Sequence, residues 1–118
     1  MAIDGIGFTF EHYDSLGAWR DEDNGFPVDS SGELVGTDLD GPVVDAVELS
    51  QTLAGSRTAH DCHVVNWTRY ALGRSTNGMD KKNIDELKKG FWESNGDIRS
   101  LLVNLVSSPL FRTTRSQP

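Results

Sequence analysis

The chain has 118 residues, a hydrophobic fraction of 36% and a formal net charge of −7. This length suits one domain with an ordinary core, and no stretch approaches the roughly 18 apolar residues that a membrane-spanning helix needs. Residues 1–61 carry 13 acidic residues against two arginines, whereas residues 62–118 carry nine basic residues against five acidic ones. Such an acidic half repels nucleic-acid phosphates, so we expect no nucleic acid among the partners.

Residues 1–41 predict a hairpin and loop region that packs on the helices. Asn24-Gly25 is a strong hairpin signal, because both residue types tolerate positive φ. Pro27 has no N–H to donate, so its strand is expected at a sheet edge. A second chain reversal is predicted at 30–32. Before the hairpin, apolar residues spaced by two or three indicate a short helix that leads into a strand: Phe8, Phe10, Tyr13, Leu16 and Trp19.

Residues 42–118 predict a helical bundle. The first helix is expected to hold Pro42 in its first turn and to end at Gly55. Its apolar stripe comprises Val43, Val47, Leu49 and Leu53. The second helix should run from about Thr58 to Leu72, where Gly73 stops it.

Two further helices follow in the predicted bundle. The third carries Ile84, Leu87, Phe91 and Trp92 at helical spacing. The fourth begins at the N-cap Asp97 and is closed by Pro109. The predicted fold is therefore mainly α, with about four helices and a small N-terminal β-hairpin region, and the two regions together form one domain.

The segment His60-Asp61-Cys62-His63 holds the candidate metal ligands. On a helix, His60 and His63 share a face, so two imidazoles could reach one ion. The competing interpretation makes Cys62 a small buried residue and gives the histidines a place beside the start of a helix. A nucleophilic pair of Cys62 and His63 is excluded, because adjacent helical residues point about 100° apart.

Two acidic stretches, 21–25 with Asp29 and 38–41, resemble calcium-binding loops. Hard cations prefer clustered oxygen ligands near glycine turns. Neither stretch has the twelve-residue spacing of a calcium loop, so solvated turn carboxylates are favoured over a calcium partner. The sequence contains no phosphate-binding loop, nucleophile elbow or dinucleotide fingerprint.

Two segments carry a resemblance to a known family. The first runs from Ile3-Asp4-Gly5-Ile6-Gly7-Phe8-Thr9-Phe10 through Trp19-Arg20 to Val28-Asp29-Ser30-Ser31-Gly32-Glu33-Leu34. The second comprises Tyr70-Ala71-Leu72-Gly73-Arg74, Asp80 and the closing stretch 98–112. In this order they resemble the paired C-terminal domains of unknown function in large exported proteins of the planctomycete cytochrome c-associated type. The resemblance covers nearly the whole chain.

This resemblance implies a context for the chain. It implies an extracytoplasmic location, in the periplasm or at the cell surface, and upstream domains of a larger protein as the partners, with this chain as an excised piece. In that family a haem attachment sequence, Cys-x-x-Cys-His, usually lies just upstream, so haem c is expected there and no cofactor in this chain. Ile3 and Gly5 stand where the family often has Met and Pro. The family supplies no catalytic residue to carry over.

Two hypotheses about function follow. The leading one is a non-catalytic structural or interaction module, whose residues Gly7, Phe8, Phe10 and Trp19 form an interdomain surface. The alternative is a part of a metal- or haem-dependent enzyme that acts on an extracellular substrate such as a polysaccharide, with His60 and His63 at its metal.

Overall fold

A computed structural model describes residues 5–112 of the chain. It is mainly α-helical, with two small antiparallel strand pairs near the N-terminus, which confirms the predicted fold class. The chain divides between Ser56 and Arg57 into two compact units. The prediction that residues 1–41 and 42–118 together form one domain stays a prediction. No helix in the described range 5–112 has the length and apolarity to cross a membrane.

The first unit contains short elements and one longer helix. A 3₁₀ helix spans Gly7–Phe10 and is followed by the strands β1 (Glu22–Asp23), β2 (Phe26–Pro27), β3 (Gly32–Leu34) and β4 (Gly41–Val43), and by helix α1 (Ala46–Gly55). β1 pairs with β2, and β3 pairs with β4, both antiparallel. The core of this unit consists of Leu34, Val43 and Leu49, with Leu53 packed against it.

The predicted hairpin turn at Asn24-Gly25 is confirmed. Asn24 has φ 51° and Gly25 has φ 81°, and the flanking residues Asp23 and Phe26 are paired across the turn. Positive φ at both central residues gives the turn the twist that two antiparallel strands require.

The predicted start of the first helix is wrong. Pro42 lies in β4, opposite Glu33, and not in a helical turn. The helix begins after Asp45, whose Oδ1 accepts the N–H groups of Val47 at 2.9 Å and Glu48 at 2.8 Å. The Asp45 carboxylate accepts the first N–H groups of the helix, which would have no such acceptor if the helix began at Pro42. Pro42 itself is compatible with the extended backbone of an edge strand.

The second unit is a set of helices. α2 spans Arg57–Leu72, and a 3₁₀ helix at Gly78–Asp80 leads into α3 (Lys81–Glu93), which is followed by α4 (Ile98–Ser107) and α5 (Pro109–Arg112). The predicted second, third and fourth helices correspond to α2, α3 and α4. Pro109 ends α4 as predicted and also begins α5. The buried residues of this core are Val64, Ile84, Leu87, Phe91, Leu101, Leu105 and Leu110.

Candidate functional site

Residues 7–19, here called the aromatic segment, carry the predicted interdomain surface. In the 3₁₀ helix Thr9 is buried, and its Oγ1 donates to the Ile6 carbonyl at 2.7 Å. The neighbouring rings of Phe8 and Phe10 stay 50% and 49% exposed. The 3₁₀ helix is thus anchored by a small polar residue and leaves its two large apolar side chains open.

A close backbone contact holds the start of this segment. The Glu33 N–H donates to the Gly5 carbonyl at 3.2 Å. A Cβ at Gly32 would overlap that same Gly5 carbonyl oxygen and would lie 2.9 Å from Cγ2 of Thr9. Only glycine therefore allows β3 to approach the 3₁₀ helix this closely.

Trp19 lies at the other end of the aromatic segment and is 53% exposed. The His12 ring stacks on it at 4.3 Å between ring centroids, and the Tyr13 ring meets it edge-on at 5.4 Å. The indole N–H donates to Asp21 at 3.0 Å, and Tyr13 and Trp19 form an isolated antiparallel bridge. These contacts fix the indole while leaving half of its surface for a partner.

A shallow groove extends the aromatic segment onto α1. Its lining residues are Phe10, Tyr13, Ala46, Val47, Ser50 and Gln51. The sequence had placed Val47 in the apolar stripe of the first helix, yet its side chain is 55% exposed and outside the core. Sequence reasoning therefore missed the contribution of α1 to this surface. A single sequence does not show which apolar residues of a helical stripe are exposed and which are buried.

The chain reversal inside the aromatic segment is fixed by a carboxylate. Oδ1 of Asp14 accepts the N–H groups of Leu16 at 2.8 Å and Ala18 at 2.9 Å, and the Asp14 N–H donates to the Ala18 carbonyl. Hydrogen bonds from the Ala18 and Leu16 backbone lower the pKa of Asp14. This carboxylate therefore shapes the turn that brings Trp19 back to Tyr13.

Both predicted metal ligands lie on α2 among aromatic rings of α3. The His60 ring packs edge-on against Trp92 and tilted against Phe91, and the His63 ring stacks on Phe91 at 5.5 Å. Nε2 of His63 lies 3.0 Å from the indole nitrogen of Trp67, which donates to it. An ion bound at this nitrogen would have to displace the indole, so only the other nitrogen of His63 stays available. The predicted metal site at His60 and His63 stays a prediction.

The surroundings add no further metal ligands. Among residues 5–112, no group of three or more His, Cys, Asp and Glu side chains is arranged to hold a metal ion. The interpretation of Cys62 as a buried residue is wrong, because its side chain is exposed. Cys62 lies two positions before the buried Val64, and two helical steps of about 100° turn it to the opposite face of α2.

Two carboxylates of the acidic stretches accept hydrogen bonds from nearby backbone N–H groups. Asp40 accepts the N–H groups of Thr37 at 2.6 Å and Gly36 at 3.0 Å, which lowers its pKa. Asp29 accepts the Ser31 N–H at 3.0 Å, and hydrogen bonds from Ser31 lower its pKa too. Both carboxylates thus stabilise turns.

An ion pair between the half-exposed Arg74 and the buried Asp80 lies in the connection between α2 and α3 and was missed by the sequence analysis. Asp80 is 0% exposed, and Arg74 donates to both of its oxygens, Nη1 to Oδ2 at 2.7 Å and Nη2 to Oδ1 at 3.1 Å. The Asn77 N–H donates to the same Oδ2 at 3.0 Å. The hydrogen bond to Asp80 raises the pKa of Arg74 further above its ordinary value. We call Arg74, Asn77 and Asp80 the clasp.

The clasp gives Arg74 and Asp80, which stand six residues apart in the sequence, a shared structural role. Gly73, at φ 62°, ends α2 and turns the chain toward Arg74. Asn77 caps the second 3₁₀ helix, since its Oδ1 accepts the Met79 N–H at 3.0 Å. The clasp thus fixes the connection between α2 and α3.

These features describe a small, mainly α-helical protein with an exposed aromatic segment in one unit and, in the other, a clasp built around the buried carboxylate of Asp80. A family model described as protein of unknown function (DUF1585) matches residues 40–111, more than half of the chain. The chain belongs to this family. Comparison with curated proteins found no match. No solved structure matches the chain either.

Proposed function

We propose that this chain is a non-catalytic interaction module of an exported, cytochrome c-linked multidomain bacterial protein. Its aromatic segment packs on the neighbouring upstream domain of that protein. The observation that carries the proposal is the exposure of large rings on residues that the fold holds in fixed positions. The context is supported by the sequence resemblance alone.

The aromatic segment has the composition of a protein–protein contact. Phe8, Phe10, Tyr13 and Trp19 are each between 41% and 53% exposed, and exposed apolar side chains grouped on one segment are typical of interaction sites. Aromatic residues dominate the energetics of interfaces because they bury a large area at a low cost in side-chain entropy. The groove lined by Phe10 and Val47 adds an apolar surface on which a side chain of the neighbouring domain would pack.

The carboxylates support a structural role as well. Five aspartates have a lowered pKa, namely Asp14, Asp29, Asp40, Asp85 and Asp97. A general acid at neutral pH needs the opposite shift, which burial or a like charge would supply. These five side chains instead accept hydrogen bonds from turns, helix starts or lysine.

Binding to the upstream part of the larger polypeptide tests the proposal. The chain and the upstream part are expressed as separate polypeptides, and their affinity is measured by calorimetry. Phe10→Ser removes an exposed ring from the aromatic segment, and we expect affinity to fall by about tenfold or more, as for an aromatic anchor of an interface. Phe26→Ser is the matched control, since Phe26 is 75% exposed at the hairpin outside residues 7–19.

Equal affinities of the two variants and the unmodified chain would overturn the aromatic contact. A truncation that starts at Gly17 is a poorer test, because it also removes the buried Thr9 and the contact of Gly5 with β3. The haem link is tested separately by an absorption spectrum of the longer polypeptide. A haem spectrum that changes when residues 3–118 are deleted supports the cytochrome context, and a polypeptide without haem contradicts it.

A further inference from the structure

Three Asn-Gly dipeptides occur in the chain, at 24–25, 77–78 and 95–96. In such a pair the glycine amide nitrogen can attack the side-chain amide carbon of asparagine, because glycine has no side chain to hinder the approach. A C–N bond closes a five-membered imide ring, and the side-chain nitrogen leaves as ammonia. Water then opens the ring at either carbonyl and yields aspartate or isoaspartate. Water is the co-reactant, and no electron transfer takes place.

The folded structure decides which pair can react. The glycine N–H must be free to lose its proton and attack, and the asparagine backbone must rotate to bring the two atoms together. A pair is therefore protected when its glycine N–H is held in a hydrogen bond or when its asparagine is tied to other groups.

Asn95-Gly96 is protected at the attacking nitrogen. This pair ends α3, and the Gly96 N–H donates to the Phe91 carbonyl at 3.0 Å. The Asn95 N–H donates to Trp92 at 3.0 Å, so the preceding peptide unit is fixed as well. Gly96 also lies against the His60 ring, whose Nε2 would be 3.2 Å from a Cβ at this position. Rotation here requires the end of α3 to unwind.

Asn77-Gly78 is protected through the clasp. Oδ1 of Asn77 accepts the Met79 N–H, its own N–H donates to the buried Asp80, and its carbonyl accepts the Asp80 N–H at 3.0 Å. Both the side chain and the backbone of Asn77 are thereby tied to the 3₁₀ helix. The attack on Asn77 requires these three hydrogen bonds to break together.

Asn24-Gly25 lacks both kinds of protection. It forms the tip of a hairpin whose strands are two residues long, and Pro27 contributes no N–H to the pairing. Asn24 and Gly25 are exposed, and a Cβ at Gly25 would meet nothing within 4 Å. Within residues 5–112, the Gly25 N–H has no acceptor. The Asn24 side-chain amide makes one long hydrogen bond, of 3.4 Å, to Asp23.

We propose that Asn24 is a site of spontaneous deamidation in the folded protein and that the fold protects Asn77 and Asn95. Conversion to aspartate adds a negative charge next to Asp21, Glu22 and Asp23. Conversion to isoaspartate adds one carbon to the backbone of a two-residue turn, which disturbs the pairing of Asp23 with Phe26. The proposed modification therefore accumulates at the acidic hairpin and not at the other two Asn-Gly pairs.

Incubation of the full chain at neutral pH, followed by peptide mapping in a mass spectrometer, measures conversion at each of the three sites. The same measurement in urea gives the unprotected rates. Because reaction through local opening is slowed by the free energy of that opening, we expect Asn77 and Asn95 to convert about tenfold or more slowly in the folded chain than in urea. The rate at Asn24 should change by much less.

Two variants sharpen the result. Asn24→Gln should abolish the hairpin product and leave the other sites unchanged. Arg74→Gln weakens the clasp and should accelerate conversion at Asn77 but not at Asn95, provided that circular dichroism shows an unchanged helix content. If this variant does not fold, the comparison of folded and urea rates decides alone. Faster conversion at Asn77 or Asn95 than at Asn24 in the folded chain, or strong folding protection of Asn24, overturns the proposal.

Discussion

Among residues 5–112, Asp80 is the charged side chain that is completely buried, and its carboxylate is paired with Arg74 and Asn77. A buried carboxylate is tolerated when it is paired and its remaining lone pairs accept hydrogen bonds. Both oxygens of Asp80 are satisfied in this way by a guanidinium and a backbone N–H. The clasp thereby ties the end of α2 to the start of α3 at a point where the chain has no apolar core residue.

Removal of the Asp80 carboxylate should therefore destabilise the protein. Asp80→Ala removes a buried acceptor of three hydrogen bonds, and we expect the free energy of unfolding to fall by about 1–2 kcal/mol, because the exposed Arg74 and Asn77 can turn to water instead. Urea denaturation measures this change. Asp85→Ala is the matched control, because Asp85 pairs with Lys81 on the exposed surface of α3, and its effect should be far smaller. Equal losses for the two variants would contradict the role of the clasp.

The close approach at Gly32 gives a second prediction for a single residue. Gly32→Ala places a methyl group on the Gly5 carbonyl, so β3 and the 3₁₀ helix must separate, at a cost of about 1–3 kcal/mol. Thermal denaturation measures the loss. In Gly55→Ala, the new Cβ meets only Leu39 at 3.9 Å, an ordinary contact, and the stability should be unchanged or slightly raised. If Gly32→Ala is as stable as the unmodified chain, β3 and the 3₁₀ helix separate without a loss of stability, and the prediction is wrong.

At the scale of secondary-structure elements, aspartate carboxylates cap the N-termini of two helices. Asp45 caps α1, and Asp97 caps α4 by accepting the Arg99 N–H at 3.0 Å. Hydrogen bonds, first from the Ser100 hydroxyl and then from the backbone, lower the pKa of Asp97 below the ordinary value of 3.8. A lowered pKa in the folded state means that the contribution to stability is fully present above the ordinary pKa. This contribution is lost as the pH falls through the lower, folded pKa.

The cap of α4 therefore predicts an acid-dependent stability. In Asp97→Asn the amide still caps the helix but does not titrate, so stability near neutral pH should be largely retained. Between about pH 5 and about pH 2, the variant should lose less stability than the unmodified protein. Urea midpoints across this range test the prediction. Parallel curves for the two proteins would show that Asp97 contributes nothing to the acid sensitivity.

Helices that bury a regular stripe could be predicted from the sequence. α2, α3 and α4 were found from apolar spacing, from Gly73 and from the Asp97 cap, because each of these signals is local. The start of α1 was not predicted correctly, because the sequence Gly41-Pro42-Val43 is compatible with the start of a helix as well as with an edge strand. The pairing of β4 with β3 depends on contacts across the loop between them, and one sequence does not display such contacts.

The candidate site also has features that the sequence predicts and features that it does not. The exposed rings of Phe8, Phe10 and Trp19 were expected from the hypothesis of an interaction module, but the groove with Val47 arises only when α1 packs beside the 3₁₀ helix. The sequence shows Arg74 directly after the helix-ending Gly73, but its pairing with Asp80 depends on the turn between α2 and α3. Cys62 was placed on the wrong face of α2, because one polar stretch leaves the rotation of a helix undefined.

For the whole molecule, the distribution of charge follows the division into units. Residues 1–56 carry twelve acidic residues and one arginine, and residues 57–118 carry ten basic residues and six acidic ones. The basic excess of the second unit is thus small and partly used in ion pairs such as those of Arg57 and Lys88 with Asp61. A strongly acidic protein of this kind gains little from polyanions and is repelled by them.

We therefore expect no binding to nucleic acid. A gel-shift assay with double-stranded and single-stranded DNA at low ionic strength is the most permissive test, since counterion release favours binding most under that condition. A basic protein of similar size serves as the positive control. A shifted band that disappears as salt is added would contradict the prediction and would point to the basic residues of the second unit.

The stacking of His12 on Trp19 gives the proposed contact surface its own optical signal. An imidazole parallel to an indole at 4.3 Å between centroids is close enough to affect the indole's emission. Half of that indole faces water in the free chain. A partner that covers the aromatic segment would exclude this water, and the fluorescence of Trp19 would move to shorter wavelength. In a chain whose Trp67 and Trp92 are replaced by phenylalanine, that shift would follow binding directly, without any label.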